Sequence, residues 1–216
     1  MDFQNNKNLW LSEEKMTFKG WDFSYLANRI SEQELPWDYK SIVTSYMNNT
    51  RTMLDMGTGG GEFLVSLHPP RNRTFATEAY PPNYELCRKK LPDYGIEVRQ
   101  VFSDEELPFE NSFFDLIINR HEAFCASEVY RILKPGGLFV TQQVGGQNNR
   151  ELSRFLLETE SKRIEADFHL RSAADDLKLA LRFWTRRKVF QCLRFMILGR
   201  WSILPKLLNG SFLIFL

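Results

Sequence analysis

The apolar positions of this chain fall into short runs separated by polar breaks rich in Gly and Pro. Five runs read as strands: residues 52–56, 73–78, 96–102, 113–119 and 138–144. They have strand length and lack helical periodicity. Residues 113–119 are nearly all apolar, as in a central strand covered on both faces. Helices are expected at residues 62–67, at 83–91 after Pro81 and Pro82, and at 126–133. Proline is tolerated at a helix start because its missing N–H has no partner there in any case. Strands alternating with helices predict an α/β chain: a Rossmann-like, mostly parallel sheet with helices on both faces. Ahead of it, residues 23–34 and 38–48 read as helices split by Pro36, with Asp38 as an N-cap. Trp10, Phe18, Trp21, Phe23, Tyr25 and Trp37 lie in or beside them, and together they predict a helical cap over residues 1–50 that packs aromatics on the sheet. The expected limits of the sheet domain are 51–180, followed by an atypical segment, 181–216.

The densest chemistry lies where the first strand ends. Asp55 closes that strand, and Gly57, Thr58, Gly59, Gly60 and Gly61 follow before the helix opens at Glu62. A strand, a tight glycine turn and a helix make the first half of a nucleotide-binding unit. Glycine serves where φ is positive, or where a ligand must approach bare backbone that a Cβ would block. A dinucleotide fingerprint would place Gly or Ala where Glu62 stands, and a carboxylate there repels a pyrophosphate. An acid before the turn suits a ligand with a cationic, amine-bearing end.

Asp55, Gly57, Gly59 and Gly61 match, position by position, the first motif of the class I S-adenosylmethionine-dependent methyltransferases, which this chain resembles over about residues 37–150. Within that family it looks like a small, bacterial, methyltransferase-11-like branch. The resemblance implies methyl transfer from S-adenosyl-L-methionine, with Asp55 and the turn, Thr58 included, holding the methionine part. Glu78 ends the second strand and takes the ribose position; a carboxylate can accept from both ribose hydroxyls. Ala79 and Tyr80 follow where the family places a residue against the adenine face. Asp104, beside Ser103 and ahead of Leu107-Pro108-Phe109, takes the position that binds the adenine amino group. Asn119 ends the fourth strand on the ligand side of the sheet, followed by Arg120, His121 and Glu122. His121 is the candidate to orient or deprotonate an acceptor, since imidazole titrates near neutrality. Gln142, Gln143, Gln147 and Asn148 are placed to line the acceptor side, and Trp37, Asp38 and Tyr39 to face the cofactor pocket. Cys87 on the third helix reads as packing, and His68 and His169 as surface or boundary residues.

Composition changes this picture at one end. The net charge of +1 conceals an asymmetry: all 27 acidic residues lie at or before Asp176, and eight basic residues follow it with no acid. Residues 1–176 are therefore net −7, which argues against a broad phosphate-binding face and favours a small-molecule acceptor over nucleic acid. Three scattered cysteines, Cys87, Cys125 and Cys192, predict no disulfide frame and no metal cluster. With a polar stretch at residues 1–8, a reduced, cytoplasmic setting is expected. No apolar run is long enough to span a membrane, because Arg194, Arg200, Pro205 and Lys206 interrupt the last one.

The tail departs from the family. A seven-stranded class I sheet ends in an antiparallel pair, and residues 182–216 show neither clean alternation nor caps, so that hairpin is expected to be missing or replaced. Back-translation with free choice of synonymous codons from Leu179 onward allows a shifted frame that begins Gly-Phe-Glu-Ile-Leu-Asp-Glu-Lys-Glu-Ser-Leu-Pro-Val. That alternative alternates like a strand and mixes acids with bases, so a frameshift near Ala180 is the expectation. Two rival functions stay open on the residues alone. One is a nicotinamide-dependent oxidoreductase. The other is an inactive, binding-only relative whose basic tail lies on a membrane surface.

Overall fold

The computed structural model describes residues 7–8, 11–13, 15, 30–32, 34–48, 50–144, 185–197 and 200–215. Its frame is one eight-stranded sheet. In chain order the elements are β1 (Ile30–Glu32), α1 (Tyr39–Met47), β2 (Met53–Met56), α2 (Glu62–Ser66), β3 (Thr74–Glu78) and α3 (Pro81–Lys90). There follow β4 (Ile96–Gln100), β5 (Phe114–Arg120), α4 (Ala126–Ile132), β6 (Leu133–Val144), β7 (Thr185–Ile197) and β8 (Arg200–Phe215). The sheet order is β1-β7-β8-β6-β5-β2-β3-β4. The five strands β4, β3, β2, β5 and β6 are mutually parallel, and β8 and β7 extend them with antiparallel pairings. Among the described residues, no helix is long and apolar enough to cross a membrane.

Alternation along the strands divides the core by face. Met53, Ala76, Leu116, Ile118 and Val140 pack with Tyr39, Val43 and Met47 of α1, Leu64 of α2, and Cys87 of α3. The opposite face sets Leu54, Met56, Ile117 and Phe139 against Val129 and Ile132 of α4 and against Phe109 and Phe114. Because side chains alternate between faces, Asp55 on β2 shares the α1–α2 side with Met53, and Arg120 on β5 shares it with Ile118. Helix α1 starts as expected: Asp38 accepts from the amide of Lys40 at 3.0 Å and from the Ser41 hydroxyl. The Tyr39 hydroxyl then donates to the carbonyls of Asn119 and Val140, both at 3.1 Å, and ties the helix to the ends of β5 and β6.

Two expectations are revised. The segment 23–34 was expected as a helix, yet Ile30–Glu32 is a short strand antiparallel to β7, and residues 23–29 lie outside the described set. Its partners are Leu193, Arg194 and Phe195, far along the chain, so no local pattern encodes the pairing. The closing hairpin was expected to be missing or replaced; it is not missing, since β7 and β8 run antiparallel and β8 pairs with β6 from Val140 to Val144. Tail residues such as Val189, Phe190, Phe195, Ile203 and Ile214 favour extended backbone, and the ladder is held by main-chain bonds that need no side-chain alternation. Pro205, which cannot donate to a ladder, falls where β8 advances from Ser202 to Leu207 while β7 goes from Phe195 to Leu193. The expected turn at Lys134, Pro135, Gly136 and Gly137 survives as a register jump: Phe114 faces Leu133, and Leu116 faces Leu138.

Candidate functional site

The turn after β2 is built by main-chain geometry. Gly57, Gly59 and Gly61 hold φ of 66°, 63° and 75°, a region costly for residues with a Cβ. The amide of Thr58 donates to the carbonyl of Thr77 at 2.9 Å and that of Gly61 to Thr58 at 3.1 Å, which pins the turn across the end of β3. The Cys87 thiol donates to the Gly59 carbonyl at 3.1 Å from behind, so this cysteine does more than fill space. Burial, with the nearby Glu78, pushes that thiol up to about 12 and keeps it protonated.

Asp55 is buried under the turn at 4% exposure. Burial pushes its carboxyl up to about 7, against the opposing pull of the Thr58 hydroxyl and the Arg120 charge. The Thr58 hydroxyl is near enough to favour the charged form, yet its Oγ1 is buried without a formed hydrogen bond among the described residues. Glu78, on the neighbouring strand, is also buried. One of its oxygens accepts from the amide of Gly59 at 2.7 Å and the other from that of Tyr80 at 2.9 Å. Each carboxylate oxygen keeps a free lone pair for a ligand hydroxyl. Ala79 and Tyr80 are exposed at the same rim.

Asp104 sits in the loop after β4, half-buried, with its carboxyl raised by burial; Ser103 beside it is exposed. This loop is anchored at its far end. The amide of Leu107 donates to Glu128 at 2.6 Å, and the Arg131 guanidinium donates to the carbonyls of Leu107 and Phe109 at 3.0 and 2.8 Å. Buried Leu107 and Phe109 complete the anchor.

The end of β5 splits its residues between the two faces. The Asn119 side chain points away from Asp55 and is used within the protein: its Oδ1 accepts from Thr141 at 3.1 Å and Gln143 at 2.6 Å, and its Nδ2 donates to the Ala123 carbonyl at 3.4 Å. His121 has φ of 67°, and its amide donates to the Gln142 carbonyl at 2.9 Å. Burial and the Arg120 charge push its imidazole down to about 4, so it is neutral near pH 7. Trp37 and Gln142, expected on two separate walls, meet directly: the indole N–H donates to Gln142 Oε1 at 3.0 Å. That leaves Gln142 Nε2 as the donor toward His121 Nε2 at 3.4 Å, which puts the ring proton on Nδ1. His121 Nδ1 is buried with no partner among the described residues. Gln147, Asn148 and His169 lie outside the described residues, as do Trp10, Phe18, Trp21, Phe23 and Tyr25.

Two further acids, named in the sequence but given no binding role there, crowd the turn. Glu122 lies across the turn: a Cβ built on Gly57 would stand 2.4 Å from its Cγ. Burial and the charges of Asp104 and Glu78 raise its carboxyl. Glu62 folds over Gly60, where an added Cβ would meet both its carboxylate oxygens at 2.4 Å. A carboxylate thus occupies the helix start where a dinucleotide would place its pyrophosphate. The only advance signal for Glu122 was its place just past a central strand.

Comparison with known proteins bears on this geometry. Residues 54–141 match the family model described as a methyltransferase domain. The demethylmenaquinone methyltransferase of Thermus thermophilus is 27% identical over 129 residues, covering 53% of this chain and 58% of that protein. The chain therefore spans little more than half the length of that relative. Among solved structures, a methyltransferase described as putative from Bacillus halodurans superposes with a TM-score of 0.59 at 15% identity, over 82% of this chain and 96% of that one. The geranyl diphosphate C-methyltransferase of Streptomyces coelicolor, solved with Mg2+, geranyl diphosphate and S-adenosyl-L-homocysteine, gives 0.57 at 15% identity, over 82% and 75%. Sheet order, glycine turn and family match agree: residues 54–141 carry the methyltransferase domain, on a fold shared with these solved methyltransferases.

Proposed function

We propose that the protein transfers a methyl group from S-adenosyl-L-methionine to a small organic acceptor. The observation that carries this reading is the buried Asp55 carboxylate beneath a positive-φ glycine turn, with Glu78 one strand over. When bound, the cofactor supplies an electrophilic sulfonium methyl. Asp55 offers the anion that a cationic amino-acid end needs, and the bare turn admits it closely. Glu78 keeps lone pairs free for ribose hydroxyls, and Asp104 and Ser103 stand at the adenine end beside Ala79 and Tyr80. Asn119 supports this rim through its bonds to Thr141 and Gln143. The protein's work is alignment and exclusion of water. A neutral His121 fits orienting an acceptor better than deprotonating it, since its imidazole is a weak base.

A small acceptor is favoured by a cavity of about 690 Å3 beside the turn, which mixes the apolar walls of Leu35, Trp37, Tyr39 and Phe63 with the polar side chains of Glu34, Lys40, Arg120 and Gln142. The names of the Thermus and Streptomyces proteins likewise specify organic small molecules. The deciding experiment is calorimetry with S-adenosylmethionine on the protein and on Asp55→Ala and Glu78→Ala. Micromolar binding that each substitution weakens at least tenfold supports the reading. Absence of binding to the unsubstituted protein, or preference for a nicotinamide dinucleotide, overturns it.

A further inference from the structure

Arg120 closes β5 and, among the described residues, stacks on a ring but forms no ion pair. Among the described residues no carboxylate lies within ion-pair distance of it. Its guanidinium stacks on the Phe63 ring, 4.0 Å from the centroid. It faces the cavity of about 690 Å3 that Trp37, Tyr39, Phe63 and Gln142 also line. Burial pulls its pKa down, and the Asp55 charge works against that pull. A half-buried, stacked and unpaired guanidinium is costly to hold. It is also preorganised: its planar fork of donors matches a carboxylate in bidentate fashion, which a lysine does not.

Its position relative to Asp55 defines what it reads. Asp55 pairs across the sheet with Ile118, and Arg120 lies two residues further, about 7 Å along the strand on the same face. The site thus presents one buried anion and one cation side by side, above the turn. The carboxylates of Glu78, Asp104 and Glu122 surround the rest of the rim and would repel a ligand anion from it. An α-amino acid end carries an ammonium and a carboxylate on one carbon and matches this pair. We infer that Arg120 seats the carboxylate of the cofactor's methionine half while Asp55 receives its ammonium, so that this end of the site selects a zwitterion. The inference rests on the cofactor reading given above, and an anionic acceptor is the competing occupant.

S-adenosylhomocysteine and 5′-methylthioadenosine separate the cases, because the second keeps the adenosine and thioether but lacks the amino-acid group. Both are titrated by calorimetry into the unsubstituted protein, R120Q and R120K. The expected result is a loss of roughly 10- to 100-fold in S-adenosylhomocysteine affinity for R120Q. Methylthioadenosine affinity stays within about twofold, and R120K falls between. Retained methylthioadenosine binding also reports that the variant is folded. Equal S-adenosylhomocysteine affinity in R120Q, or parallel loss of both ligands in R120Q and R120K, overturns the inference. So does unchanged S-adenosylhomocysteine binding with a raised KM for the acceptor, which would give Arg120 to the acceptor. If the unsubstituted protein binds neither compound, it is the cofactor reading that fails.

Discussion

At the scale of single residues, Asp55 and His121 make opposite demands on pH. Asp55 is raised from 3.8 to about 7 by burial, so the folded chain keeps a proton that the unfolded chain releases. The stability this contributes is complete below about pH 4 and is lost as pH rises through 7. Asp55→Asn has no charge to bury and should gain stability over the natural protein between pH 5 and 8, by at most on the order of 4 kcal/mol. Thermal melts across that range measure it. Ligand binding should run the other way, because a cationic ligand needs the ionised carboxylate. S-adenosylhomocysteine affinity should rise with pH through 7 in the natural protein and be weak and flat in Asp55→Asn. His121 falls from 6.5 to about 4, so its contribution is present above pH 6.5 and lost as pH drops through 4. His121→Asn keeps a residue that tolerates the left-handed backbone there and should lose less stability between pH 6.5 and 4, by up to roughly 3 kcal/mol. Melts at pH 4.5 and 7 decide it.

At the scale of elements, the glycine turn is the stiffest part of the site and the most open to test. Gly61→Ala combines a φ of 75° with a Cβ 2.8 Å from Leu91 Cδ2. It should destabilise the fold by about 2 kcal/mol or more, seen as a lower urea midpoint. Gly57→Ala meets Glu122 rather than core. Its cost should therefore shrink when Glu122→Ala is added, with a coupling of about 1 kcal/mol in a double-mutant cycle. Sequence carried most of these elements. Strands β2, β3 and β5 and helices α2 and α4 lie within a residue or so of their expected limits, because each is bounded by Gly, Pro or a polar break. What sequence could not carry was contact across the sheet. Trp37 and Gln142 were expected separately and meet by a bond spanning 105 positions. Asn119 was legible as a strand end, but the face its amide takes was not. Arg120 was named beside His121 but given no role, because an arginine's lack of an ion-pair partner among the described residues is visible only in three dimensions.

At the scale of the whole molecule, the open question is what sequence belongs on β7 and β8. The backbone closes the sheet: β8 covers the edge of β6, and β1 covers β7. Without them β6 would present unpaired amides and carbonyls to other chains. The residues in those two strands include Arg186, Arg187, Lys188, Arg194, Arg200 and Lys206 with no acid, so opposite charges cannot pair across the hairpin. We propose a tail read out of frame from near Ala180, in the segment outside the described residues, as the source of this one-sided charge. Replacing residues 180–216 with the shifted-frame sequence should then raise the melting temperature by at least about 5 °C, where 1 kcal/mol is worth some 2–4 °C at this size. It should also raise the soluble fraction and leave S-adenosylhomocysteine affinity within about twofold, because Asp55, Glu78 and Asp104 lie on the other side of the sheet centre from the hairpin. Sequencing the coding DNA around codon 180 gives the independent readout, with one nucleotide gained or lost relative to related genes as the expected result. A natural tail that melts higher than the replacement, on an undisturbed frame, would make the basic hairpin an original part of this protein and return the family difference to its β7–β8 pair.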